Sequence, residues 1–165
     1  MHPTRHPQNL QRLRLRLRDD TGAALVEFAL ILPIFLLILF GALDLGKAYN
    51  YWIDETQLAH EGARYAAVNK NPDPSAPSLV AAIRNQADTA ELRNGSTGSV
   101  PDPLRVCVYL PDGPAVGNRV RVEVTSTYSF MSFLSSKLNL LPKTVVADST
   151  MRLERTPTYS DGECA

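Results

Sequence analysis

Glu27 is the residue whose position most strongly suggests chemistry, because it is the single ionisable side chain between Ala23 and Leu43. If that apolar run crosses a membrane, a charge at its centre would cost about 2.5–3.5 kcal/mol, so such residues are usually functional and paired. Glu27 is the fifth residue of the run, where the cost is lower. Two interpretations follow: a carboxylate resting at the membrane interface, or an acid that pairs with a positive group.

The two cysteines suggest a disulfide bond. Cys107 lies in a predicted strand, and Cys164 lies next to the C-terminus. If the chain crosses a membrane with its N-terminus in the cytoplasm, both cysteines lie outside the cytoplasm, where disulfides persist. We expect a Cys107–Cys164 bond that ties the tail to the sheet. The alternatives are two free thiols or an intermolecular link.

The remaining residues form no catalytic or metal-binding pattern. Of the three histidines, His2 and His6 lie near the N-terminus, and His60 stands alone in a predicted helix. A metal site usually needs several ligands at short spacing, and the sequence has neither a Gly-rich phosphate loop nor a nucleophile elbow. We therefore expect no enzymatic activity, no metal, no cofactor and no small-molecule substrate.

The run from Ala23 to Leu43 has the length of a membrane span. A helix of its 21 residues would be about 31 Å long, close to the ~30 Å hydrocarbon core of a bilayer. Core helices of soluble proteins rarely stay apolar on every face for that length. The sequence therefore predicts a single transmembrane helix, kinked at Pro33.

The flanking cations orient this span. Residues 1–22 carry five Arg, whereas Lys47 and Arg64 are the only Lys or Arg between residues 44 and 69. The positive-inside rule then leaves the N-terminus in the cytoplasm and residues 44–165 outside. A cleaved secretory signal is the main alternative, but its apolar region is usually about 7–15 residues and ends at a small-x-small site.

The residues at this charge boundary resemble a known family. Gly22 ends the basic leader, Glu27 is the fifth residue after it, and Phe28 follows. The string TGAALVEFALILP resembles the start of the TadE-like family, pseudopilins of the Tad/Flp branch of type IV pili. The stretch after the span is also similar, as is Met151-Arg152-Leu153-Glu154 near the C-terminus.

The resemblance implies a processed, pilin-like subunit. A prepilin peptidase would cut between Gly22 and Ala23, so Glu27 and Phe28 would be the acidic and aromatic residues of the mature N-terminus. The cut would free a protonated amine at Ala23, one helical turn from Glu27 of the same or a neighbouring chain. The implied function is a minor pseudopilin of the inner membrane. Its partners would be other pilins and pseudopilins and the Tad assembly platform.

Two other functions remain open. An unprocessed, membrane-anchored adhesion or assembly protein similar to TadG shares the N-terminal pattern, although such chains usually carry a larger outer domain. A secreted hydrolase, released by conventional signal cleavage, would begin near Tyr49.

Residues 44–69 are expected to continue the span as a helix outside the membrane. One set of positions recurs along it at alternating steps of four and three, and we call this set the helix seam: Leu45, Tyr49, Trp52, Thr56, Ala59, Ala63 and Ala66. The seam begins aromatic and ends small, which permits close approach of a partner. Alternatively, the seam packs on the protein's own sheet. One part of the helix can contact a partner while another part packs on the sheet.

Residues 70–165 predict a small α+β domain. Ser78 is placed to cap a helix over residues 79–93. The pattern then changes to a period of two, which indicates about three antiparallel strands, at residues 104–110, 119–130 and 144–154. Residues 131–142 are expected to form a short helix or an apolar crossover. The expected architecture is pilin-like, with a long helix packed on a small sheet.

Charge is distributed in agreement with this organisation. The chain carries 17 Lys+Arg and 17 Asp+Glu, a balance that gives no reason to expect a nucleic-acid partner. Residues 1–22 have a net charge of +3, and residues 23–165 have −3. The predicted domains are a basic cytoplasmic leader (1–22), a transmembrane helix (23–43), a helical extension (44–69) and an extracytoplasmic domain (70–165).

Overall fold

Three helices and four strands form the described chain. This computed structural model describes the backbone of residues 9–130 and 142–165 and the side chains of residues 22–130 and 142–165. In chain order the elements are α1 (Asn9–Ala67), α2 (Leu79–Asn85), α3 (Ala90–Asn94), β1 (Arg105–Tyr109), β2 (Arg119–Tyr128), β3 (Lys143–Arg152) and β4 (Glu163–Cys164). The chain divides into two units, Met1–Ala42 and Leu43–Ala165.

Helix α1 contains the predicted apolar run. Among the described residues it is the one helix long and apolar enough to cross a membrane, judged by length and composition. Pro33 lies inside it and does not end it. The helix ends after Ala67, where Asn69 adopts a left-handed backbone with φ 50° and the amide of Lys70 bonds the carbonyl of Tyr65. Asn tolerates that conformation better than most residues.

The sheet has the order β3-β2-β1-β4, and every pair of neighbours is antiparallel. The predicted period of two is present in β2, where Val120, Val122 and Val124 are fully buried between exposed or half-buried neighbours. The structure therefore confirms the α+β, pilin-like fold class. The sheet has four strands rather than about three, because a two-residue strand near the C-terminus, β4, pairs with β1.

Helix α1 packs against β2, and the two elements run in opposite directions. The rings of Tyr51 and Tyr128 meet edge to face with centroids 5.6 Å apart. About three turns further along α1, a Cβ on Gly62 would lie 3.1 Å from Val122 Cγ1. Glycine is therefore what lets the helix approach the sheet this closely at that level.

The prediction of one helix over residues 79–93 is wrong in its extent, because α2 ends at Asn85 and α3 begins at Ala90. Asp54 of α1 explains the break, since its carboxylate accepts hydrogen bonds from the backbone amides of Asp88 and Thr89. The predicted cap is confirmed: Ser78 Oγ accepts from the amide of Ala81 at 3.3 Å. The crossover predicted for residues 131–142 lies outside the described residues, apart from its last residue.

Candidate functional site

The four residues of the predicted processing site lie together in one stretch of α1. Gly22, Ala23, Glu27 and Phe28 are all helical and exposed. No atom lies within 4 Å of the position that a Cβ on Gly22 would occupy. Side chains in a helix lean toward its N-terminus, so the Glu27 carboxylate lies over the turn that begins at Ala23. The arrangement suits a contact between Glu27 and a positive group at Ala23.

The large apolar side chains that follow in α1 are mostly exposed among the described residues. Most of the large apolar side chains of α1 before Asp44 are exposed, from Leu25 and Phe28 through Ile38 and Phe40. In a water-soluble protein an exposed apolar area of this extent marks an interaction surface. Together with the length of the helix, it defines a single N-terminal apolar segment suited to a membrane anchor.

The helix seam divides into an exposed half and a buried half. Tyr49 is 62% exposed and Trp52 is 46% exposed, and their rings contact each other with centroids 5.7 Å apart. Ala59, Ala63 and Ala66 are 0% exposed. The small residues of the seam therefore belong to the protein's own core, while its two aromatic residues keep about half or more of their surface exposed among the described residues.

The C-terminal segment closes over the buried half of the seam. Tyr159 donates its hydroxyl to the carbonyl of Ala66 at 2.7 Å, and the amide of Glu154 donates to the carbonyl of Ala67 at 2.8 Å. Burial raises the pKa of Tyr159 to about 12, so this donor stays protonated at physiological pH. The bond from Glu154 pairs the last carbonyl of α1, whereas Tyr159 adds a second donor to the carbonyl of Ala66, which also accepts from the amide of Asn69 at 3.1 Å.

A polar cluster joins α1 to α3, and the sequence analysis did not predict it. Lys47 Nζ lies 2.8 Å from Glu91 Oε2, and Tyr51 donates its hydroxyl to the same carboxylate. Burial raises the pKa of Tyr51, and the bond to Glu91 raises it further. The bonds from Lys47 and then Tyr51 lower the pKa of Glu91. Because the partners are about 40 positions apart, no local pattern could have shown the cluster.

A second long-range contact lies beside this cluster. Tyr128 donates its hydroxyl to Asp44 Oδ1 at 2.7 Å, and the Tyr128 ring packs against Phe130. Burial, followed by the contact with Asp44, raises the pKa of Tyr128. Asp44, the first polar residue after the apolar run, is thus bonded to Tyr128, the last residue of β2.

A buried acid, Glu55, is the other residue that sequence reasoning missed. It is 0% exposed and accepts a hydrogen bond from the hydroxyl of Ser126 on β2. Burial raises its pKa to about 7; the Ser126 bond opposes this shift, and the neighbouring Asp54 adds to it. A Glu in an amphipathic helix normally faces water, so only the packing of α1 on β2 reveals it.

The structure brings the two cysteines together. Cys107 of β1 and Cys164 of β4 are direct partners in the sheet, with Cα atoms 4.2 Å apart and an S–S bond of 2.06 Å. Backbone hydrogen bonds between Val106 and Ala165 flank the bond. The C-terminus is thereby attached to the middle of the sheet.

Nothing in the described part of the chain resembles a metal centre. Among residues 22–130 and 142–165 no group of three or more His, Cys, Asp or Glu side chains is placed to hold a metal ion. His60, the one histidine in those ranges, is exposed and shares a hydrogen bond of 2.9 Å with Ser149.

Fold and site together describe a protein with one N-terminal apolar helix and a disulfide-linked α+β domain. The family model described as "TadE-like protein" matches residues 22–64. The match begins at Gly22 and ends within the outer part of α1, so it confirms the resemblance over that segment and does not extend to Met151–Glu154. No match to the chain was found among curated proteins or among solved structures. Over residues 22–64 the chain is therefore similar to TadE-like proteins.

Proposed function

We propose that the protein is a minor pseudopilin, a structural subunit that takes part in assembling a Tad-type pilus. The observation that carries the proposal is the TadE-like match, which starts at Gly22, where the basic leader gives way to the apolar helix. The subunit would be anchored in the inner membrane with its N-terminus in the cytoplasm and its sheet domain outside, as the leader charge favours. Its role would be structural rather than catalytic.

Cleavage by a prepilin peptidase between Gly22 and Ala23 is the first part of the proposal. Both residues are helical and exposed, and α1 starts thirteen residues earlier, at Asn9. A protease needs an unwound strand, so the helix must open locally at the cut. Gly22 makes this easier, because glycine in a helix interior is about 1 kcal/mol less favourable than alanine.

The second part concerns Glu27. After cleavage the new amine of Ala23 would be positively charged at neutral pH. A Glu one turn further along can pair with that amine, on its own chain or on a neighbouring subunit. Such a pair reduces the cost of placing either charge near lipid. The exposed position of Glu27 leaves it accessible to both partners.

The third part concerns the exposed half of the helix seam. Leu45, Tyr49 and Trp52 lie on one side of α1 and are not covered by the described part of the domain. Their steps of four and three suit packing against a second helix. Other pilins and pseudopilins, whose apolar helices share the membrane, are the proposed partners. The prepilin peptidase and the inner-membrane Tad assembly platform would act on the subunit before it packs against other pilins.

The experiment compares Gly22→Val with Gly41→Val in cells that contain the prepilin peptidase. Both changes add the same side chain to a glycine of α1 with no neighbouring atom within 4 Å of its Cβ position. We expect Gly22→Val to accumulate the full-length precursor and Gly41→Val to be shortened like the unaltered protein. Equal processing of the two variants would contradict cleavage at Gly22. An unaltered protein that keeps its leader would favour the TadG-like anchor instead.

A further inference from the structure

Glu55 occupies a position that an apolar residue would normally fill. The inward residues of β2 are Val120, Val122, Val124, Ser126 and Tyr128, all buried. Glu55 meets the one small polar member of this row, Ser126. Along β2, the Tyr51–Tyr128 contact lies on one side of Ser126, and the Gly62–Val122 contact lies on the other side. The α1–β2 interface is therefore apolar or aromatic on both sides of the Glu55 carboxyl group.

The Glu55 carboxyl is only partly satisfied. Its Oε1 accepts from Ser126, but its Oε2 is buried and has no hydrogen-bond partner among the described residues. No described Lys, Arg or His side chain forms an ion pair with it. A carboxylate held this way is costly when charged and much less costly when protonated.

The charged and titratable groups around Glu55 do not relieve this cost. On α1, Asp54 is a second carboxylate, the Tyr51 hydroxyl is bonded to Glu91, and His60 is exposed and bonded to Ser149. From β2, the facing titratable group is Tyr128, whose hydroxyl is bonded to Asp44.

The charged residues of the sheet lie elsewhere. Arg121 and Glu123 alternate to the opposite face of β2, where Arg121 also pairs with Asp148 of β3. From α2, the apolar Ile83 packs beside Gly62 of α1. Protonation is therefore the route by which Glu55 loses its charge while α1 stays on the sheet.

We propose that the buried carboxyl of Glu55 is a proton-sensitive latch between α1 and β2: protonated Glu55 lets this part of α1 stay packed on β2, and ionised Glu55 favours their separation. Opening would expose Ala59 and Ala63, the buried small residues of the helix seam. The inference depends on the packing of α1 against β2 and not on processing after Gly22.

The sign of the pH dependence follows from the raised pKa of Glu55, about 7 against an ordinary 4.5. The closed state binds the proton more tightly than the open state, so closure is favoured at low pH and weakened as the pH rises through that interval. Between about pH 5.5 and about pH 8.5, the opening equilibrium should rise on the order of 30-fold.

Hydrogen–deuterium exchange of the full chain in detergent micelles tests the latch. Peptides covering residues 51–62 and 120–128 are followed at the two pH values and corrected for the intrinsic pH dependence of amide exchange. We expect the ~30-fold rise in opening for the unaltered protein and for Glu61→Gln, which neutralises an exposed acid on the same helix. Glu55→Gln should remove most of the rise. The proposal would be overturned if opening of the unaltered protein did not depend on pH, or if opening of Glu55→Gln rose with pH as much as that of the unaltered protein.

A second variant keeps the test decisive if Glu55→Gln folds poorly. The Ser126 bond favours the charged form of Glu55. Ser126→Ala should therefore move the midpoint of the opening transition to higher pH. A midpoint that stays in place or moves to lower pH would contradict the latch.

Discussion

Loss of the Cys107–Cys164 bond should remove a large part of the stability of the outer domain. The two residues are 57 positions apart, so the bond closes a long loop. On the chain-entropy model, a loop of that length contributes about 4 kcal/mol by restricting the unfolded chain. Because domains are typically stable by about 5–15 kcal/mol, the change is large enough to measure by equilibrium unfolding.

The structure also indicates which interactions remain without the bond. Backbone hydrogen bonds of 2.9 and 3.0 Å join Val106 and Ala165 beside the cysteines, and the side chain of Asp161 accepts from the amide of Leu110 at 2.7 Å. These bonds do not need the sulfur atoms. Removal of the disulfide should therefore lower the free energy of unfolding without abolishing β4, and it should act mainly through the unfolded state.

Urea unfolding of the full chain in micelles provides the assay, with near-UV circular dichroism reporting the buried rings of Tyr51 and Tyr128. Cys107→Ser, Cys164→Ser and the double variant each remove the same bond. All three should lose about 4 kcal/mol, and the unaltered protein in reductant should match them. A loss below about 1 kcal/mol, or two freely alkylated thiols in the unaltered exported protein, would refute the reasoning.

Two further predictions concern assembly. Trp52→Ala should change the free energy of unfolding by no more than about 0.5 kcal/mol, yet it should reduce co-purification with other pilins. Ala63→Leu should lower the free energy of unfolding by about 1–3 kcal/mol, because the larger side chain overpacks the core. Urea unfolding and pull-down measure both, and a stability loss confined to Trp52→Ala would contradict the division of the seam. Glu27→Ala should leave cleavage before Ala23 intact but weaken association with other pilins. Unchanged co-purification would count against pairing of Glu27 with the new amine.

The sequence predicts the elements that have a strong local pattern. The apolar run marks the middle of α1, and the period of two locates β1, β2 and β3. The buried valines of β2 follow from alternation alone, because one face of a packed antiparallel sheet must be apolar. The Ser78 cap follows from local hydrogen bonding in the same way.

What the sequence did not reveal depends on tertiary contacts. Strand β4 is only two residues long, too short for any periodicity. The break between α2 and α3 comes from Asp54, which lies more than 30 residues earlier. The burial of Glu55 could not be anticipated either, because a helix with polar residues on several sides does not show which side will meet a sheet.

The N-terminus of the membrane-bound protein distinguishes a processed pseudopilin from an unprocessed anchor and from a secreted chain. Intact-mass spectrometry combined with N-terminal sequencing of the chain, purified from membranes of cells that contain the prepilin peptidase, would identify it. If a prepilin peptidase cleaves after Gly22, the chain begins at Ala23, with Glu27 and Phe28 at its fifth and sixth positions. A chain that retains residues 1–22, or a soluble chain that begins near Tyr49, would contradict it.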